Sequence, residues 1–177
     1  AAAAKGVRII PSCGFDSIPS DLGSFFGIRK LGAPVKRVES FHSFKGGASG
    51  GTLETIFSMG DLDLKDELTD PFLLNPPDSY NEEMHTESRD TFQIAKKPEI
   101  NGWGGPFVMA GANTRVVRRS AALLSQRQEP YGPNFTYQEF AFNASRGQAI
   151  RSALSFGAMA LVVMTPLRKL VRPLLKQ

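Results

Sequence analysis

A chain of 177 residues, 41% of them hydrophobic, is long enough for one ordinary core and too apolar to be a disordered segment. Its single cysteine excludes an internal disulfide framework and fits a reducing, intracellular setting. The net charge of +4 hides three unequal parts: residues 1–60 carry 7 basic and 4 acidic groups, residues 61–100 carry 4 and 11, and residues 101–177 carry 10 and 2. No basic run is interleaved with aromatics, which argues against a nucleic-acid platform. Ala1 to Ala4 lack the charged start and apolar core of a targeting peptide, so the sequons at Asn134 and Asn143 read as unglycosylated.

The apolar residues Val7, Ile9 and Ile10 predict a short strand over 7–10, followed by a Pro-Ser-Cys-Gly turn. A helix is expected over 18–31, with Ser17 as its cap, Pro19 in its first turn and Gly32 and Pro34 as its stop. Leu22, Phe25, Phe26 and Leu31 form its expected apolar face. A second strand is expected at 35–44, then the loop KGGASGGT at 45–52 and a helix running to Met59. Residues 61–100 are acidic and proline-rich and read as a loop insert with one short helix near 63–68. Trp103 to Phe107 reads as a turn, 108–124 as a helix, Phe135 to Ala144 as a strand, and 147–175 as a helix broken at Pro166.

Four motifs could carry chemistry. The turn Cys13-Gly14-Phe15-Asp16 precedes a helix N-terminus, where free amides favour an anion; Asp16 could orient a polar group. Its bland alternative is a capped turn with Asp16 bound to backbone, and Cys13 has no neighbouring histidine to make it a nucleophile. In the second motif the glycines around Gly47, Ser49, Gly50, Gly51 and Thr52 leave backbone bare for a ligand, although no Gly-Lys-Ser/Thr makes a P-loop. Third, Asn113 and Arg115 lead a helix on which Arg115, Arg118 and Arg119 share a face. That face could clamp a carboxylate or phosphate, or simply be solvated. Fourth, Ser152 to Leu167 is free of charge for 16 residues and flanked by basic groups, which suits a buried or interfacial helix better than a span. His42 and His85 are too isolated for a metal site, and no metal is expected.

The segments SCGFDSIPSDLG, KGGASGGTLET, WGGPFVMAGANTRVVRRSAAL and YGPNFTYQEF, in this order, resemble the saccharopine dehydrogenase-like oxidoreductases, a group that includes the trans-acting enoyl reductases. The resemblance covers most of residues 7–177 and is weakest in the acidic middle. It implies an α/β fold: the end of a Rossmann domain (1–34), a mixed α/β substrate domain (35–146, with the insert 61–100) and an apolar, basic helical segment (147–177). The family's Gly-rich nucleotide motif would precede the part present here, so the chain reads as an internal or C-terminal fragment, inactive alone.

By this resemblance the cofactor is NADP or NAD, bound mainly by the missing N-terminal part, with Cys13, Gly14, Phe15 and Asp16 facing the nicotinamide. Gly47, Ser49, Gly50, Gly51, Thr52, Asn113 and Arg115 would face the substrate, and no catalytic acid is assigned. The implied reaction passes hydride to or from a C=C or C=N bond of a small, lipid-like molecule. A membrane surface, a larger protein complex and a homo-oligomer are the other expected partners, in an organelle such as the mitochondrion or on a lipid droplet. The alternative is a non-catalytic, membrane-associated scaffold that keeps the fold.

Overall fold

Strand β4 (Thr136–Asn143) runs through the middle of the structure, and the other elements are arranged around it. The structure is a computed structural model that describes residues 3–9, 13–43, 57–58 and 69–171. β1 (Arg37–His42) pairs with β4 in parallel, with Ser40 beside Glu139 and His42 beside Ala141. On its other side β4 pairs antiparallel with β3 (Gly102–Gly105), which pairs antiparallel with β2 (Ala95–Lys97), giving the order β1-β4-β3-β2. The fold class is therefore mixed α/β, as expected.

Helix α1 (Ile18–Leu31) ends where Gly32 takes a left-handed φ of 67° and returns its N–H to the Ile28 carbonyl. Its packing face is not the expected one. Ser20, Ser24 and Ile28 are buried, whereas Leu22, Phe26 and Leu31 are exposed. Small serines let the helix approach its neighbour α3 (Ala110–Gln126) closely, and their hydroxyls find partners there or on the α1 backbone. One core joins the two helices to the sheet: Ile28, Val117 and Ala121 pack with Tyr131, Phe135 and Tyr137. Val117 and Tyr137 are fully buried, each such side chain contributing about 1.5–3 kcal/mol.

Several other expectations change. Val7 and Ile9 are exposed and in no strand, and Ile10 lies outside the described residues. The segment has no ladder partner among the described residues, and an apolar run without one does not form a strand. Trp103 belongs to β3 rather than a turn; Gly104 opposes Phe142, and a Cβ there would lie 3.3–3.4 Å from the Phe41 and Phe140 rings. The acidic middle contains helix α2 (Glu82–Glu87), capped by Asn81, as well as β2. The KGGASGGT loop and the short helix expected at 63–68 lie outside the described residues. The terminal helix is α4 (Arg146–Met164), capped by Ser145 and followed after Pro166 by α5 (Arg168–Val171).

Gly132 sits where the chain turns back beside Val35, whose N–H bonds the Tyr131 carbonyl at 2.8 Å. A Cβ at Gly132 would fall 2.5 Å from the Val35 carbonyl oxygen and 2.6 Å from its nitrogen, and backbone cannot move aside cheaply. Gly132→Ala should therefore cost about 1–3 kcal/mol in urea unfolding. Gly23→Ala in α1, with nothing within 4 Å, should be neutral or stabilise by up to about 1 kcal/mol.

Candidate functional site

The N-termini of α1 and α3 meet the carboxyl ends of the parallel strands β1 and β4 at one edge, the place where α/β sheets commonly bind ligands. Asn113, in the first turns of α3, is 1% exposed and joins these elements. Its Oδ1 accepts from Ser17 Oγ at 2.9 Å, and its Nδ2 donates to Ser20 Oγ (3.3 Å) and Glu139 Oε2 (3.1 Å). Ser17, expected to cap α1, makes no cap bond because its hydroxyl is committed to Asn113. A second tie between the two helices runs from Ser120 Oγ to Asp21 Oδ2 at 2.9 Å. Burial pushes that carboxyl above its usual range despite the Ser120 bond.

Glu139 is the buried charge of the cluster. Its side chain is inaccessible; Oε1 accepts from the Tyr137 hydroxyl at 2.7 Å and lies 3.6 Å from His42 Nε2. Burial alone would raise its pKa, but hydrogen bonds from His42, Ser20 and Tyr137 outweigh that and hold the carboxyl below its usual range. It is therefore an anion at neutral pH and cannot act as a general acid. The His42 ring is fixed from two sides. Its Nε2 lies 2.8 Å from Ser40 Oγ, and the ring stacks on Phe107 at 4.7 Å and 2°. With 27% of its side chain exposed, His42 connects the buried carboxylate to solvent. A cleft of about 150 Å³ is lined by Glu139 and Phe107, the two partners of His42, together with Asp90, Phe92, Gly111 and Phe156.

The sequence points to His42 only as an isolated histidine and does not point to Glu139, because the pair is made by parallel strands far apart in the chain. The one available signal was that Glu139 is one of two acidic residues after position 100, inside a strand of otherwise uncharged residues.

Two arginines of α3, Arg115 and Arg118, are not part of a solvated face, whereas Arg119 is exposed. Arg115 and Arg118 are 3% and 1% exposed. Arg115 grips Asp90 with two bonds (2.5 and 2.7 Å) and donates to the Asp70 carbonyl, so the carboxylate it clamps is the chain's own. Arg118 donates to the carbonyls of Pro71 (2.9 Å) and Tyr137 (2.7 Å), and Arg119 to that of Leu74. Gln138 holds the Glu87 and Arg89 carbonyls from the sheet side. Residues 70–91 are thus fastened to α3 and β4. Burial, then the charge of Arg115, lowers the Arg118 pKa to about 9.

Cys13, Gly14, Phe15 and Asp16 are exposed at the start of α1, Phe15 to 86%. They precede Ser17, which bonds Asn113, by one to four residues. Gly47, Ser49, Gly50, Gly51 and Thr52 lie outside the described residues. No group of His, Cys, Asp and Glu suited to a metal ion occurs among the described residues.

Comparison with known proteins places this geometry in context. A Mycobacterium tuberculosis (strain H37Rv) protein that carries the name trans-acting enoyl reductase is 39% identical over 153 residues, covering 78% of this chain and 35% of its own. Trans-acting enoyl reductases of Mycobacterium ulcerans (strain Agy99) and Mycobacterium bovis (strain BCG / Pasteur 1173P2) are 33% and 34% identical over 174 and 176 residues, covering 90% of this chain and 41% of theirs. The chain is thus homologous to trans-acting enoyl reductases and spans 35–41% of the length of these relatives. No family model and no solved structure matches it.

The Glu139 cluster gives a pH signature. A carboxylate whose pKa is lower folded than unfolded adds stability that is complete above the unfolded value of about 4.3 and is lost as pH falls through the folded value. Glu139→Gln should cost about 1–3 kcal/mol at pH 7, by leaving Tyr137 and His42 poorly matched. In urea unfolding from pH 7 to about pH 3, the gap between wild type and variant should narrow as the wild-type carboxylate protonates.

Proposed function

We propose that this chain is the substrate-handling part of an NAD(P)-dependent enoyl reductase, which adds hydride and a proton across a C=C bond of an acyl, lipid-like substrate. The observation that carries the reading is the 33–39% identity to proteins named trans-acting enoyl reductases, over most of this chain. Within it, residues 1–34 are read as the end of a Rossmann domain and 35–146 as the substrate domain of a saccharopine dehydrogenase-like protein. The C=N chemistry of that wider group is the less favoured branch.

The nicotinamide cofactor, when bound, supplies the hydride. The residues present fit one wall of its site: Phe15 and Cys13 offer open surface at the start of α1, and the cap hydroxyl of that helix is turned away toward Asn113. The chain contains no G-x-G-x-x-G, so the phosphates are assigned to a part of the protein beyond this sequence. Asp16 and Gly14 complete the same wall. The Gly47–Thr52 loop, which follows β1 directly in sequence, is assigned to the substrate.

His42 is the proton donor in this reading. Ser40 and Glu139 engage its Nε2, which leaves Nδ1 for the substrate carbon that becomes negative as hydride arrives. Solvent restores the proton through the exposed part of the side chain. Asn113 keeps Glu139 in place, and Arg115 holds Asp90 at the rim of the cleft; both act by positioning.

The second reading, a non-catalytic membrane-associated scaffold, is favoured by α4. This helix of 19 residues is long and apolar enough to cross a membrane by length and composition, and only 11% of its most apolar stretch is buried. Leu154 and Leu161 of α4 and Leu170 of α5 are more than half exposed, and Arg151, Arg168 and Lys169 flank the uncharged run 152–167. A lipid surface, a larger complex or a second copy of the chain could meet this face, in an organelle such as the mitochondrion or on a lipid droplet.

The two readings separate in one assay. Full-length protein, mixed with NADPH and an α,β-unsaturated acyl thioester, should consume NADPH with saturation. His42→Gln should lower kcat by about 10²–10⁴-fold while leaving NADPH affinity unchanged. No NADPH binding and no consumption would contradict the reductase and leave the scaffold; full activity in His42→Gln would remove His42 from the reaction.

A further inference from the structure

A second cavity, which shares no lining residue with the cleft beside Glu139, lies between α3, the segment 72–84 and the turn 130–135. Its volume of about 490 Å³ is in the range of small-molecule sites, roughly 300–1,000 Å³. Its walls are mostly apolar, with Phe72, Ala121, Ala122 and Phe135 among them. Several polar groups interrupt this lining, and three of them have a buried atom without a hydrogen-bond partner: Arg118 Nε, Asn75 Oδ1 and the Tyr131 hydroxyl.

Arg118 makes the cavity unusual. It is 1% exposed, and its terminal nitrogens take main-chain carbonyls. Among the described residues no carboxylate comes within hydrogen-bond distance of it, the Asp90 and Glu139 carboxylates favouring its charge only from farther away, and its Cζ lies 5.7 Å from the Phe72 ring centroid. Buried charges are normally paired, because removing a cation from water costs several kcal/mol unless an anion and full hydrogen bonding offset it. A guanidinium with one N–H unused, in the wall of an apolar cavity, matches a ligand with an oxygen anion at one end and a hydrocarbon body. The unpartnered Asn75 Oδ1 asks for a donor as well, which a hydroxyl near the head of that ligand would provide.

We propose that this cavity binds an aliphatic carboxylate, with the carboxylate on Arg118 and the chain against Phe72, Ala122 and Phe135. The site stands apart from the reductase reading and would exist in the scaffold as well. Because it is closed by contacts between α3 and the segment 70–80, which the α3 arginines themselves hold, its occupation also tightens that insert.

The test uses isotope-labelled full-length protein titrated with octanoate, β-hydroxyoctanoate and octanol, followed by NMR and calorimetry. The proposal expects octanoate to saturate one site at least tenfold more tightly than octanol, β-hydroxyoctanoate to bind at least as well as octanoate, and shifts centred on the amides of Phe72, Ala122 and Phe135. Arg118→Gln removes bonds that hold the fold, so the informative variant is Ala122→Leu, which fills the cavity and keeps Arg118. It should weaken octanoate at least tenfold with an unchanged circular dichroism spectrum. Absence of saturation, equal affinity for octanoate and octanol, shifts centred elsewhere, or unchanged affinity in a folded Ala122→Leu would each overturn the proposal.

Discussion

The Asn113 carboxamide holds three elements at once. It accepts from Ser17 and donates to Ser20 on α1, and donates to Glu139 on β4, while being part of α3. A buried amide with both ends engaged fixes the spacing and rotation of its neighbours more sharply than apolar contact, since each lost partner leaves a polar group stranded. Asn113 thereby sets where Glu139 sits, Glu139 sets which way His42 is held, and Phe107 at the entry to α3 stacks on the same ring. The candidate site is a consequence of how the helices are fastened to the sheet.

The arginines of α3 extend the same logic toward its C-terminus. Three successive positions on one face reach out to residues 70–90 and attach them through carbonyls and one carboxylate. The ion pair Arg115–Asp90 joins the basic last third to the acidic middle segment, and the other bonds use main-chain carbonyls. Arg115 spends its fork on Asp90, whereas Arg118 is left with an unused Nε–H. That difference separates an arginine that closes the fold from one that also offers a binding group.

Much of this fold is legible in the sequence. Helices α1, α3 and α4 and strands β1 and β4 announce themselves through stop signals, periodicity and the break at Pro166, and they form within a few residues of the expected bounds. Other features depend on partners that no local pattern contains. The face of α1 was misread because hydrophobicity pointed to Leu22 and Phe26, while close helix packing selected Ser20 and Ser24. Trp103 to Phe107, with Gly104, Gly105 and Pro106, reads as a turn; as part of strand β3, Gly104 makes room for the Phe41 and Phe140 rings. His42 and Glu139 meet only through the parallel pairing of β1 with β4, and Arg115 and Arg118 look like surface charge until the insert is in place. Ser17 ties the Cys13–Asp16 motif to Asn113, so these two sequence motifs lie side by side.

The central claim is that this edge, with His42 held by Glu139, faces the reacting centre. A crystal structure of the full-length protein with NADPH and an unreactive acyl analogue tests it most directly. The account predicts the nicotinamide ring against the Cys13–Asp16 turn, with the analogue's reacting carbon about 3–3.5 Å from the His42 ring nitrogen. A nicotinamide and analogue bound away from the carboxyl ends of β1 and β4, with His42 touching neither, would contradict it.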